Sequence, residues 1–247
     1  MKQFIFDARN GIHIIDLSKS IVQLEAACTF ISQVVSKGGQ VLFVGTKKQA
    51  QEAVREAAKA AAQPYVTERW LGGTLTNMKT LKRSMARMRE IEQMEADGSI
   101  NRYVKQEQSM LRRELARLVK NLDGIRGMDK APAAMFVVDL KREHNAVAEA
   151  KRLKIPVVAI VDTNADPDLA AYPIAGNDDA IRSVRIILSV VTQAAVQARA
   201  EYEAKYSRRK TEEKPAEAAP APAPAPVAAA PVAAAAAPAP EATAPAV

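Results

Sequence analysis

The side chains best equipped for chemistry in this sequence are cationic. Lys79, Lys82, Arg83, Arg87 and Arg89 crowd one stretch and Arg112, Arg113, Arg117 and Lys120 a second, and from Lys79 to Arg126 there are 12 basic residues against 7 acidic. Taken singly, such residues are the solvated face of a helix. Taken together, their bias of sign suits electrostatic neutralisation of a polyanion, in which each phosphate engaged adds to the salt dependence of binding. Lys47 and Lys48 follow the apolar run Val41 to Val44 and a glycine, Gly45, and so stand where a helix start could meet a phosphate. The G-x-x-x-x-G-K-[ST] spacing is missing, and Gly38-Gly39 precedes the run rather than following it, so neither a P-loop nor a dinucleotide fingerprint is present.

Two further groups invite a chemical reading. Arg69-Trp70-Leu71-Gly72-Gly73-Thr74-Leu75-Thr76-Asn77 holds the only tryptophan of the chain beside paired glycines. The indole is expected to pack, while Arg69 and Asn77 are the better contacts for a nucleic acid. Asp162, Asn164, Asp166, Asp168, Asp178 and Asp179 gather after the apolar run Val157 to Val161. At the carboxyl edge of a parallel sheet such oxygens could hold magnesium or serve a nucleotide or sugar-phosphate enzyme, but Asp166-Pro167 reads as a turn and Asn177 or Asp178 as a helix cap. The turn and cap reading is preferred, and no metal site is expected. His13 and His144 lack ligand spacing, and no local Ser, His and Asp signature stands out. Cys28 falls in the helical series Ile21, Leu24, Cys28, Ile31, Val35 and is expected to be a buried helix residue.

Elements that could position these groups follow from periodicity. Apolar runs at Val41 to Val44, Tyr65 to Thr67, Met135 to Val138 and Val157 to Val161, with a fifth extended piece near Ile174, alternate with helical patterns. Those helices are a Ser18-capped one ending at Gly38-Gly39, then Lys47 to Ala62, Glu143 to Leu153 and Asp178 to Ala200. This rhythm predicts an α/β fold with a parallel sheet covered on both faces. About sixty residues interrupt it between the second and third strands, far beyond an ordinary crossover. Inside them, Leu81, Met85, Met88 and Ile91 share one helical face, and Leu111, Leu115, Leu118 and Leu122 another, on either side of the turn Asp97-Gly98-Ser99. The expectation is a protruding antiparallel helical hairpin over 75–122, packed as a coiled coil.

The charge balance sharpens the partner class. Formal net charge is +7, yet from Thr211 onward Lys214 faces Glu212, Glu213, Glu217 and Glu241, leaving 34 basic and 24 acidic residues in 1–210. That excess favours nucleic acid or an anionic surface. The first residues lack the apolar core of a signal peptide and no apolar run is long enough to span a bilayer, so a cytoplasmic location without membrane contact is expected. Residues 1–210 are expected to form the folded body and 211–247, nearly all Ala and Pro, a disordered tail.

Several segments carry a resemblance. Arg9-Asn10-Gly11-Ile12-His13-Ile14-Ile15-Asp16-Leu17, Val41 to Lys47, Arg69 to Asn77, Pro156 to Asn164 and Ile174 to Ser183 resemble, in order and spacing, the signature segments of the bacterial ribosomal small-subunit protein two family (S-two). The resemblance covers residues 1 to about 200. It implies a flavodoxin-like three-layer parallel sheet with the inserted hairpin, a structural and non-enzymatic role without cofactor, and contact with small-subunit ribosomal RNA. It further implies contact with neighbouring small-subunit ribosomal proteins, among them the large mRNA-binding protein one where a bacterium has it. Arg69, Asn77, Lys79, Lys82, Arg83, Arg87, Arg112 and Arg113, followed by Lys47 and Lys48, are the expected RNA contacts. The family pattern includes a further stretch ahead of the position of Met1, whose contacts are not carried over, and it does not include the Ala/Pro tail.

Overall fold

The computed structural model describes residues 1–212. Two short strands, β1 (Ile5–Arg9) and β2 (Ile12–Ile15), pair antiparallel across Asn10-Gly11. Both turn residues have positive φ, 51° and 78°, the conformation that Asn-Gly supplies to a two-residue hairpin. Then come α1 (Leu17–Ser36), β3 (Val41–Val44), α2 (Lys48–Ala60), β4 (Tyr65–Val66), α3 (Met78–Ala96), α4 (Lys105–Leu122), β5 (Ala134–Val138), α5 (His144–Arg152), β6 (Val157–Val161), β7 (Tyr172–Ala175) and α6 (Ile181–Glu212).

β3 to β7 form one parallel sheet in the order β4-β3-β5-β6-β7. Counting from β3, this is the 2-1-3-4-5 order of doubly wound, flavodoxin-like sheets, with its switch point between β3 and β5. Each of β3, β5 and β6 is buried at every position, which is why these strands read as unbroken apolar runs rather than alternating ones. Alternation survives in the direction of the side chains. Val41, Phe43, Phe136, Val138, Val158 and Ile160 meet α1, α2 and α6 on one face. Leu42, Val44, Met135, Val137, Ala159 and Val161 meet α5, Trp70 and the bases of α3 and α4 on the other.

Element ends differ from the sequence expectations in physically legible ways. Asp16, not Ser18, caps α1, its carboxylate accepting from the Ser18 N–H. On α1 the buried stripe is Ala27, Ile31 and Val35, while Ile21 is 57% exposed and Cys28 half-buried. Partial burial, with Glu25 nearby, raises the Cys28 thiol above its ordinary range. α6 starts at Ile181, with Asn177 accepting from the Asp179 and Ala180 N–H groups, and continues twelve residues past Ala200. The proposed Ala/Pro tail lies outside the described residues, except that 211 and 212 close α6. On α3, Leu81, Met85, Met88 and Ile91 are all buried, as the spacing predicts. On α4 only Leu122 is, with Leu115 and Leu118 partly covered. α3 and α4 contact each other and are joined by the Arg87–Glu114 and Arg112–Glu95 ion pairs.

Candidate nucleic-acid interface

Exposure sorts the expected contact residues. Arg69, Asn77, Lys79, Lys82, Arg83, Arg112, Arg113 and Lys48 are exposed, and Arg87 and Lys47 partly buried. Lys79, Lys82 and Arg83 stand at i, i+3 and i+4 on α3, so they share one face opposite the apolar stripe. Among the described residues none of Arg69, Lys48, Lys79, Lys82, Arg83 and Arg113 has a carboxylate within ion-pair distance. Their charge is therefore open to an outside anion. Arg87 is committed to Glu90 at 2.9 Å and Glu114 at 3.4 Å, and Arg112 to Glu95 at 3.4 Å. The hydrogen bonds that Arg87 donates to Glu90 and Glu114 hold its guanidinium more firmly protonated than usual. Asn77 is the N-cap of α3, its Oδ1 accepting from the Thr80 N–H at 3.2 Å, which leaves its amide nitrogen free to donate outward.

Lys47 lies elsewhere, at the switch point. Its Nζ is 2.6 Å from Asp178, 2.6 Å from Asp179 and 3.7 Å from Asp139, with its side chain only 12% exposed. Burial pulls the ammonium pKa down, but hydrogen bonds to Asp178 and Asp179 outweigh it, and the net direction is up. Asp178 is 1% exposed and burial raises its carboxyl despite Lys47 beside it. Next to this pair, the Thr46 N–H and hydroxyl donate to the buried Glu143, whose carboxyl burial also raises, and Arg142 donates to the Thr46 hydroxyl. The place where doubly wound sheets usually bind a ligand is thus filled by the chain's own cation and carboxylates. Asp162, Asp178 and Asp179 bring ligand atoms within 4.8 Å of one another, but the Lys47 ammonium already neutralises two of them. Asp166 turns its chain locally, accepting from the Asp168 N–H, and Asp162 accepts from the Thr163 N–H.

Sequence reasoning missed the residue that organises the 69–77 loop. Glu149, on α5, accepts at Oε1 from the Trp70 indole N–H (3.0 Å) and the Gly73 N–H (2.8 Å). At Oε2 it accepts from the Leu75 N–H (3.0 Å), the Thr76 N–H (3.0 Å) and the Thr76 hydroxyl (3.1 Å). Partial burial works to raise this carboxyl, but the hydrogen bonds from Trp70, Gly73, Thr76 and Leu75 prevail and hold it below the usual glutamate range. A depressed pKa in the folded state means that the stabilisation is present above the unfolded-state pKa and is lost as pH falls through the folded one. Urea midpoints of the parent and Glu149→Gln should accordingly differ most near neutrality and converge in acid below the ordinary glutamate range. A pH-independent gap would show that the charge of Glu149 does not matter.

A second surface is apolar. Ile14, Leu17, Ile21, Leu24, Ile186 and Ile187 line an open groove of about 720 Å³ between β2, α1 and the start of α6, and Leu17 and Ile186 are 71% and 65% exposed. Nothing in the alternation of β2 distinguished this outward face from a core-facing one. Among the described residues no helix is long and apolar enough to cross a membrane.

The family model described as "Ribosomal protein S2" matches residues 1–198. Curated relatives named small ribosomal subunit protein uS2 include that of Pseudarthrobacter chlorophenolicus, 53% identical over 198 residues, which cover 80% of this chain and 68% of the relative. The Fusobacterium nucleatum protein is 52% identical over 198 residues, covering 80% of each chain. The Solidesulfovibrio magneticus protein is 50% identical over 220 residues, covering 89% of this chain and 85% of the relative.

Proposed function

This chain belongs to the ribosomal protein S2 family, and from that premise we propose that it is a structural constituent of the bacterial small ribosomal subunit that binds small-subunit ribosomal RNA and performs no catalysis. Work on the ribosome makes its expected location cytoplasmic. The observation that carries RNA contact is the set of exposed cations without internal partners, Lys79, Lys82 and Arg83 along one face of α3, with Arg69 at its foot and Arg113 on α4. We read α3 and α4 as an antiparallel hairpin, coiled-coil-like, projecting from a body of residues 1–210. A rod of that kind lays fixed positive charge along a phosphate backbone without needing to read base edges. Asn77 caps α3, which also carries Arg87, and Arg112 belongs to α4, whereas Lys48 stands apart at the start of α2 and Lys47 is tied into the switch-point network. Neighbouring ribosomal proteins, the large mRNA-binding protein one among them, fit the apolar groove beside β2 better, because its isoleucines and leucines offer a phosphate backbone nothing to bind.

The test is the salt dependence of binding to protein-free small-subunit ribosomal RNA. Replacing Lys79, Lys82, Arg83 and Arg113 together by Gln should flatten the slope of log affinity against log salt by about 3 to 4, roughly one per lost phosphate contact. A variant that keeps its slope and affinity would make the α3–α4 pair a protein-docking arm instead.

A further inference from the structure

We propose that Glu149 is a positioning residue for the RNA surface: its carboxylate is the template on which the 70–76 loop is wound, and so it fixes where Arg69 and the first turn of α3 present their charge. The inference rests on the RNA-binding role proposed above. Five donors from one short stretch converge on a single carboxylate 73 to 79 residues away in sequence. Three of them are backbone N–H groups in a segment without a strand partner, so this side chain does for the loop what a neighbouring strand does for a strand. Gly73 makes the convergence possible: its φ of +89° lies where side-chain-bearing residues are strained, and a Cβ there would stand 3.1 Å from that of Asn77. Inner turns complete the winding, with the Thr74 N–H and hydroxyl donating to Leu71 O and the Asn77 N–H to Gly73 O at 2.8 Å. That last bond joins the loop to the cap of α3, so the loop conformation sets the start of the helix carrying Lys79, Lys82 and Arg83.

Such an arrangement needs an anion with two accepting oxygens. Glutamine has the same size but would aim an NH2 group at donors of the loop. Glu149 touches no RNA in this scheme and acts only through what it holds in place.

The experiment uses the full chain, Glu149→Gln and Thr76→Val, read by thermal melting, by Trp70 fluorescence and by binding to protein-free small-subunit ribosomal RNA over a salt series. Trp70 is the sole tryptophan and donates directly to Glu149, so its emission reports the loop alone. The expected result is that Glu149→Gln still unfolds cooperatively, red-shifts the tryptophan emission, lowers RNA affinity about tenfold and flattens the salt slope by about one. In that background Arg69→Gln should cost less affinity than it does in the parent, since residues acting in series are not additive. A red shift with unchanged RNA affinity would overturn the proposal and leave Glu149 a purely structural anchor. If Glu149→Gln does not fold, Thr76→Val decides, because it removes one donor and keeps the carboxylate: a smaller loss of affinity in the same direction supports positioning, and none sinks it. A parent protein that shows no salt-dependent RNA binding would instead overturn the RNA-binding role itself.

Discussion

Replacing Lys47 with methionine is expected to lower the melting temperature by roughly 10 °C, from a loss of about 3 to 5 kcal/mol when one partner of a buried ion pair is removed. The reason is what the lysine leaves behind. Asp178 is 1% exposed, the Asp139 side chain 11%, and Asp178 Oδ2 has no hydrogen-bond partner among the described residues even with Lys47 in place. Methionine fills the space of the aliphatic stem but leaves the carboxylates facing one another. Asp179 contributes little, since its side chain is 72% exposed and water can solvate it. Adding Asp178→Asn to the methionine variant should recover most of the loss, a coupling that differential scanning calorimetry of the two single variants and the double would measure. The same variants separate the two possible roles of this residue. A direct phosphate contact would weaken RNA binding with the melting temperature intact, whereas the observed geometry predicts the reverse.

Gly124→Ala is expected to cost about 3 kcal/mol, at the upper end of what overpacking imposes. Gly124 sits in the single helical turn Asp123–Ile125 that ends α4, pressed against β4. A Cβ there would lie 2.1 Å from the Tyr65 carbonyl oxygen and 2.6 Å from its ring. The ring can move, but the carbonyl belongs to an edge strand already paired with β3. Either β4 must shift or the foot of α4 must lift, exposing Leu122 and Ile125, which are both 1% exposed. Gly127, with nothing within 4 Å of its Cβ position, is the control, and Gly127→Ala should melt with the parent. Equal melting temperatures for all three proteins would mean that the turn yields freely.

These two sites also mark the boundary of what the sequence makes legible. Strands buried on both faces announce themselves as apolar runs, and the α3 stripe follows from three- and four-residue spacing, because both signals are local. Exposure of Lys79, Lys82 and Arg83 was equally legible, since they fall off that stripe. The pairing of charges was not. Lys47 meets Asp178 across 131 residues, and Arg87 meets Glu114 across 27, so spacing holds no trace of either contact. Glu149 is the sharpest case, because most of its partners are backbone N–H groups, which every residue but proline owns. The β1–β2 hairpin was missed, although Asn10-Gly11 is the residue pair that a two-residue turn favours. The overrun of α6 follows from a sequence with neither glycine nor proline between Ile181 and Glu212 to stop it.

The long excursion between β4 and β5 bears on how the chain finds its sheet. Pairing β3 with β5 requires the intervening segment to be closed into a loop, and closure entropy rises with the length of flexible chain enclosed. α3 and α4 are neighbours in sequence that pack on each other, so their contacts are local and form early by comparison with strand pairing. Once they have paired, Leu81 near the start of the excursion and Leu122 near its end share one cluster, and most of the enclosed residues no longer count as free chain. The same two helices that carry Lys79, Lys82, Arg83 and Arg113 thereby shorten the search for the central strand pair.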